Sequence, residues 1–126
     1  MQLFVNGTLM RGEALHRNLS GCSFLQEART APSYRLFLLG SGSYPGMIRA
    51  QLNGASIAGE LYNVPDTLVQ EIFAREPPHL YLGEVELEDG SHVQGVLCDP
   101  DAAPKYPEIT GYGGWRGWRK HAEPAA

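Results

Sequence analysis

The chain is poor in the residues that most site chemistries need. It has two cysteines and four histidines among its 126 residues. Cys22, Cys98, His16, His79, His92 and His121 are scattered and lack the spacing of a metal site. No metal site and no cofactor is therefore expected, and the cysteines read as two buried free thiols. Positive charge is also scarce: ten Lys and Arg stand against fourteen Asp and Glu, a formal net charge of −4. That balance argues against a nucleic acid or an acidic membrane surface as partner, since both select a basic face. No apolar run approaches a membrane span, and Met1-Gln2-Leu3-Phe4-Val5 lacks the basic start and long apolar core of a signal peptide. A cytoplasmic location is the expectation. No serine sits in a nucleophile elbow and no cysteine accompanies a histidine motif, so covalent catalysis has no support.

Glycine and proline are abundant instead, at 15 and 9 residues. They predict many short strands joined by tight turns rather than a helix bundle. An apolar fraction of 43% with 19% charged residues describes an ordinary globular chain. The reading is one domain over residues 1–121 with a frayed tail over 122–126. Strands are predicted up to Val5 and over 23–30, 34–39, 47–50, 57–62, 82–88 and 92–97, with Asp89-Gly90 turning the last hairpin. Residues 40–46 read as an irregular loop and 13–19 as a short helix. The best helix starts at Pro65-Asp66, carries Leu68, Val69, Ile72 and Phe73 on one face, and is stopped by Pro77-Pro78. From Asp99 onward the chain reads as an irregular tail. The class is α+β: a small mixed β-barrel or strongly curved sheet with one main flanking helix.

Three segments are candidates for chemistry. In the opening loop, Asn6-Gly7 readily takes positive φ, and a strand, a bare loop through Thr8 and Leu9, and a helix start would point N–H groups outward. Such a cradle binds carboxylates, phosphates or developing oxyanions; the same residues also suit a plain turn with no ligand. Glu76 falls where the proline-stopped helix ends, against the dipole and beside Phe73, Pro77 and Leu80. Both features raise a carboxyl pKa toward the range of a general acid/base. The alternative is a solvated glutamate paired with Arg75 or Arg49. In the tail, Trp115 and Trp118 read as structural, while Arg116 is left open between anion binding and packing. Glu60 sits in an otherwise apolar strand and needs a partner, for which Arg35 and Arg49 are the nearest candidates. Glu84, Glu86 and Glu88 alternate on a solvent-facing side.

Taken together, Val5-Asn6-Gly7-Thr8-Leu9-Met10-Arg11-Gly12, Tyr44-Pro45-Gly46-Met47, Gly59-Glu60-Leu61-Tyr62 and a helix ending in Glu76 with Tyr81 soon after resemble the γ-glutamylcyclotransferase-like family. The resemblance spans most of the chain. It implies a small mixed barrel with flanking helices and a small carboxylate-bearing substrate. It further implies binding by the loop of Asn6, Gly7, Thr8 and Leu9, with Tyr44, Tyr81 and Arg116 around the pocket and Glu76 as catalytic acid/base. The back half, through Gly83-Glu84-Val85-Glu86-Leu87-Glu88-Asp89-Gly90 and Ile109-Thr110-Gly111-Tyr112-Gly113-Gly114-Trp115-Arg116, resembles more closely the C-terminal domain of allophanate hydrolase. That domain shares the fold and is implicated in decarboxylating the N-carboxycarbamate made by its amidase. The chain departs from it in having Leu9 where the domain has a histidine and Glu76 where it has no glutamate. It departs from the wider family in Asn6, in place of a tyrosine, and Gly83, in place of an arginine. The leading expectation is release of 5-oxoproline from a γ-glutamyl amine or peptide. The alternatives are decarboxylation of a carboxylated urea or carbamate, and a non-catalytic module serving a separate amidase partner. The sequence sets no oligomeric state.

Overall fold

The computed structural model describes residues 1–123. Leu3, Phe4 and Val5 form an unbroken apolar run, the pattern of a strand covered on both faces. They lie fully buried in β1 (Gln2–Val5), the middle of a five-stranded sheet. The sheet order is β2 (Ser23–Arg29), β5 (Ala58–Asn63), β1, β7 (His92–Cys98) and β6 (Leu80–Glu86). β1 runs antiparallel to β5, with Phe4 opposite Leu61 and Val5 opposite Glu60, and parallel to β7. β3 (Tyr34–Leu39) and β4 (Tyr44–Arg49) form a separate antiparallel pair.

The sheet curves until its two edges touch. Thr30 bridges Leu87, Ala31 N–H donates to the Glu86 carbonyl at 3.0 Å and Glu88 N–H to Arg29 at 3.0 Å. No ladder continues that contact among the described residues, so the expected curved sheet is present and a closed barrel is not.

α1 (Asp66–Ala74) begins after Pro65, buries Val69 and Ile72 and ends at Arg75 before the two prolines. Local chemistry dictated these limits, and the sequence reading matches them. A second helix, α2 (Trp115–Ala122), replaces the expected irregular tail. Trp115 and Trp118, three apart, stack at 5.4 Å, and Arg119, Lys120 and His121 fall in its last turn, where cations suit the dipole. Ala122 ends this helix, and residues 124–126 of the expected tail lie outside the described residues.

Two other segments differ from expectation. Residues 40–46 are not one loop: Gly40, Ser41 and Gly42 make a tight turn with φ of 59°, 59° and 93°, and β4 already starts at Tyr44. Three successive positive φ values explain the Gly-Ser-Gly sequence. The helix expected over 13–19 shrinks to a 3₁₀ turn over His16–Leu19. Cys98 is buried, Cys22 is half-buried, and both are free thiols. Among the described residues no helix is long and apolar enough to cross a membrane, and no group of His, Cys, Asp and Glu is placed to hold a metal ion.

Candidate functional site

The opening loop follows β1 directly, and its conformation is set from behind. Gly7 carbonyl accepts from Met10 N–H at 3.1 Å, Thr8 carbonyl from Leu15 N–H at 2.8 Å, and Leu9 carbonyl from His16 Nδ1 at 2.9 Å. An acceptor carbonyl places the proton of His16 on Nδ1. A carbonyl and the next N–H point opposite ways across a trans peptide. Holding the Gly7 and Thr8 carbonyls backward therefore turns the Thr8 and Leu9 N–H groups the other way. Among the described residues the N–H groups of Gly7, Thr8 and Leu9 have no protein acceptor.

The cradle thus exists, though not for the expected conformational reason. Neither Asn6 nor Gly7 has positive φ. Gly7 is required by space, since a Cβ there would stand 2.7 Å from Cδ and Cγ of Pro45. Asn6 is buried, and its amide donates to Met47 Sδ at 3.5 Å and the Val96 carbonyl at 3.4 Å, tying the loop to β4 and β7.

These residues and Glu76 line one cleft. Asn6, Gly7, Thr8 and Leu9 form one wall, Tyr44 and Pro45 face them, and Glu76 and Leu80 come from the stop after α1 and the start of β6. Elements far apart in sequence are brought together here. The cleft is narrow: about 280 Å³ is empty counting the open mouth, and about 20 Å³ of it admits the centre of a water molecule. Glu76 is half-buried and, among the described residues, forms no ion pair; Arg49 pairs with Glu86 instead, at 3.5 Å. Burial alone pushes the Glu76 carboxyl above the usual carboxylate range. Burial first, and then the charge of Glu76 among others, raises the Tyr44 hydroxyl, which stays protonated as a donor at neutral pH.

Two predicted pocket residues lie elsewhere. Tyr81 follows Leu80 in β6, and alternate strand residues face opposite sides, so with Leu80 in the cleft Tyr81 turns outward and is 46% exposed. Arg116, at the start of α2, is committed to Glu60.

Glu60 was expected to meet Arg35 or Arg49, but Arg35 pairs with Glu108 at 2.5 Å. Glu60 is fully buried and accepts four hydrogen bonds: Arg11 N–H at 2.9 Å, Arg11 Nε at 3.0 Å, the Tyr62 hydroxyl at 3.0 Å and Arg116 Nη2 at 3.1 Å. Burial pushes its carboxyl up, and these donors more than offset the push, leaving it below the usual range. Burial and Glu60 together drive the Tyr62 hydroxyl to about 12. Arg116 Nη2 also donates to the Arg11 carbonyl at 2.5 Å, so both faces of that residue's backbone are held. Glu13 joins the same cluster by accepting from Trp115 Nε1 at 2.9 Å and from Arg119.

The signal for this arrangement was the arginine closing the loop motif Met10-Arg11-Gly12. The β1–β5 register, which puts Val5 opposite Glu60, carries the loop across Glu60.

Residues 1–120 match the family model of the allophanate hydrolase C-terminal domain. The chain is 33% identical to the urea amidolyase of Saccharomyces cerevisiae over 126 residues, covering 94% of this chain and 7% of that protein. It thus spans a small fraction of the multidomain relatives that it matches. It is 36% identical over 80 residues to the "Putative gamma-glutamylcyclotransferase" of Vibrio cholerae, covering 63% of this chain and 65% of that protein. The crystal structure of a uropathogenic E. coli-specific protein superposes with a TM-score of 0.89 at 37% identity, covering 97% of each chain.

Proposed function

The chain belongs to the allophanate hydrolase C-terminal domain family, within the γ-glutamylcyclotransferase-like group, and from that premise we propose that it is a γ-glutamyl cyclotransferase-type enzyme acting through Glu76. The observation that carries the reading is one cleft holding a half-buried carboxylate and three backbone N–H groups that, among the described residues, have no ion-pair partner and no acceptors respectively. An anionic group on the amides and a proton acceptor beside it are the two parts that lactam closure of a γ-glutamyl unit needs.

The substrate's α-carboxylate takes the N–H groups of Gly7, Thr8 and Leu9. Its α-ammonium gives a proton to Glu76, and the freed amine attacks its own γ-carbonyl. The new C–N bond closes the five-membered ring, and Glu76 returns the proton to the departing amine as the bond to it breaks. Glu76 then takes the second proton of the ring nitrogen and passes it to that amine, which leaves as an ammonium, with the lactam nitrogen keeping one hydrogen and Glu76 ionised again. Nothing is oxidised or reduced. Because nucleophile and electrophile belong to one molecule, positioning supplies much of the rate, with effective molarities on the order of 10⁵ M or more for well-oriented closures. A well-placed donor to a developing oxyanion is worth about 3 kcal/mol, and Tyr44, which lines the cleft, carries a hydroxyl suited to that part.

A second reading is decarboxylation of a small carboxylated urea or carbamate, with no ring closure. It is favoured by the family match over residues 1–120 and by the narrowness of the cleft. Against it stands Leu9 in the position where the domain has a histidine; His16 is turned back onto the Leu9 carbonyl. In this reading a separate amidase supplies the substrate, as the multidomain architecture of the urea amidolyase relatives suggests.

Incubation with γ-glutamyl amines, γ-glutamyl dipeptides and carboxylated ureas separates the two. The first reading expects 5-oxoproline from the γ-glutamyl compounds. Carbon dioxide from the ureas without any 5-oxoproline would replace it by the second.

A further inference from the structure

One atom of the cleft wall is left over. Asn6 follows β1 directly, is only 3% exposed, and lines the cleft beside the loop amides. Its Nδ2 donates to the Val96 carbonyl at 3.4 Å and to Met47 Sδ at 3.5 Å, while no donor among the described residues reaches its Oδ1. The Val96 carbonyl fixes which way the amide stands, since turning it over would set oxygen against oxygen. Among the described residues no sealed-in side-chain oxygen or nitrogen lacks a partner. Oδ1 therefore lies in the small part of Asn6 that stays open, and the hollow that Asn6 lines is the cleft. A nearly buried acceptor turned to a hollow calls for a donor on whatever fills it.

We propose that Asn6 is a specificity-determining residue of the cleft: its Oδ1 accepts a hydrogen bond from an N–H group that the ligand carries beside its carboxylate, and carboxylates without that N–H are turned away. The inference rests on the part of the proposed reading that seats a carboxylate on the Gly7, Thr8 and Leu9 amides, and not on ring closure. Asn6 immediately precedes those amides in the chain, so a group adjoining the carboxylate comes to its side chain. Asparagine suits this post where similar residues do not. An aspartate would set a second charge against the bound anion and could not donate to the Val96 carbonyl. A leucine would leave that carbonyl unpaired and offer the ligand no acceptor. On the cyclotransferase reading the N–H belongs to the substrate's α-amine, which Asn6 holds while Glu76 takes its proton. A methyl in that place would lack the bond and also strip Oδ1 of water, leaving a buried acceptor unsatisfied.

The test pairs oxamate with pyruvate, two small planar carboxylates of one shape that differ in carrying an NH₂ group or a methyl. Binding is followed by titration of the isotope-labelled protein, with shifts at the amides of Gly7, Thr8 and Leu9 marking the cleft. The wild-type protein should bind oxamate about tenfold more tightly, the scale set by leaving a buried acceptor unpaired. The Asn6 side-chain amide resonances should move with oxamate and not with pyruvate. In Asn6→Leu the ratio of affinities should fall to near one, with a melting temperature reporting on the fold. Equal affinities in the wild type overturn the proposal and leave the carboxylate seat standing. A preference that survives in Asn6→Leu also overturns it, and passes the N–H contact to Glu76. If Asn6→Leu does not fold, the wild-type side-chain resonances decide: movement with oxamate alone supports the contact, and equal movement or none overturns it. Binding of neither ligand overturns the proposal together with the carboxylate seat.

Discussion

Glu60 ends in four hydrogen bonds from Arg11, Tyr62 and Arg116, whereas Glu76 faces an open cleft with no ion-pair partner among the described residues. Both are carboxylates withdrawn from water, and burial pushes both upward. At Glu60 the donors win and the group is held ionised; at Glu76 nothing opposes burial. A saturated carboxylate has no lone pair left for a substrate, and a carboxyl raised by desolvation is suited to exchange protons. On the proposed reading the Glu60 region is scaffold and the Glu76 region is the place for chemistry. They are joined through Arg11, whose backbone Glu60 and Arg116 hold and whose chain leads back to the amides of Gly7, Thr8 and Leu9.

The contrast breaks most visibly in Glu76→Gln. Loss of a general acid/base costs roughly 10²–10⁴-fold in rate, so turnover should fall by about 10³-fold while the melting temperature holds or rises. Near-normal turnover in that variant would remove Glu76 from the chemistry. Glu60→Ala should do the reverse, costing stability first. Removing one partner of a buried pair costs about 3–5 kcal/mol. Here the abandoned arginines are nearly half exposed and regain water, so about 2–3 kcal/mol is expected in urea unfolding. A loss below about 0.5 kcal/mol would show that the network is not what holds the loop.

The smallest effect is the dependence of stability on pH, and its sign differs between the two groups. A raised carboxyl binds its proton more tightly in the folded chain. Its contribution is therefore complete below the ordinary carboxylate pKa and is lost as pH rises through the raised value. Glu76→Gln should thus melt with the wild type near pH 4 and about 1–3 °C above it at pH 7. Glu60 contributes above the ordinary carboxylate pKa, and that share is lost only as pH falls through its lowered value. A Glu76→Gln protein that loses melting temperature relative to wild type between pH 4 and pH 7 would reverse the assignment.

What could be read from the sequence is what neighbouring residues decide. Pro65-Asp66 and Pro77-Pro78 bound α1 and so placed Glu76 at its stop, and Asp89-Gly90 turned its hairpin, with Gly90 at φ 88°. What could not be read depends on contacts distant in sequence. Gly7 looked like a residue chosen for its conformational range, and its real constraint is Pro45, which arrives 38 residues later from β4 (45 − 7). The arginine partners of Glu60 come from the loop and from α2, because β1 lies beside β5 and α2 folds back over the loop. α2 itself was hidden by Gly113, Gly114 and Gly117, poor helix residues that here let the chain turn and pass close to Tyr112. Tyr81 was assigned to the pocket by resemblance, and the strand alternation beside Leu80 sends it outward.

The most direct test of the division between scaffold and site is a titration of the isotope-labelled protein with 5-oxoproline, followed through its backbone amide resonances. The account predicts saturable shifts at Gly7, Thr8 and Leu9, weakened in Glu76→Gln, with the amides of Glu60 and Tyr62 left in place. Unmoved resonances at Gly7, Thr8 and Leu9, or shifts centred on Glu60 and Arg116, would contradict it.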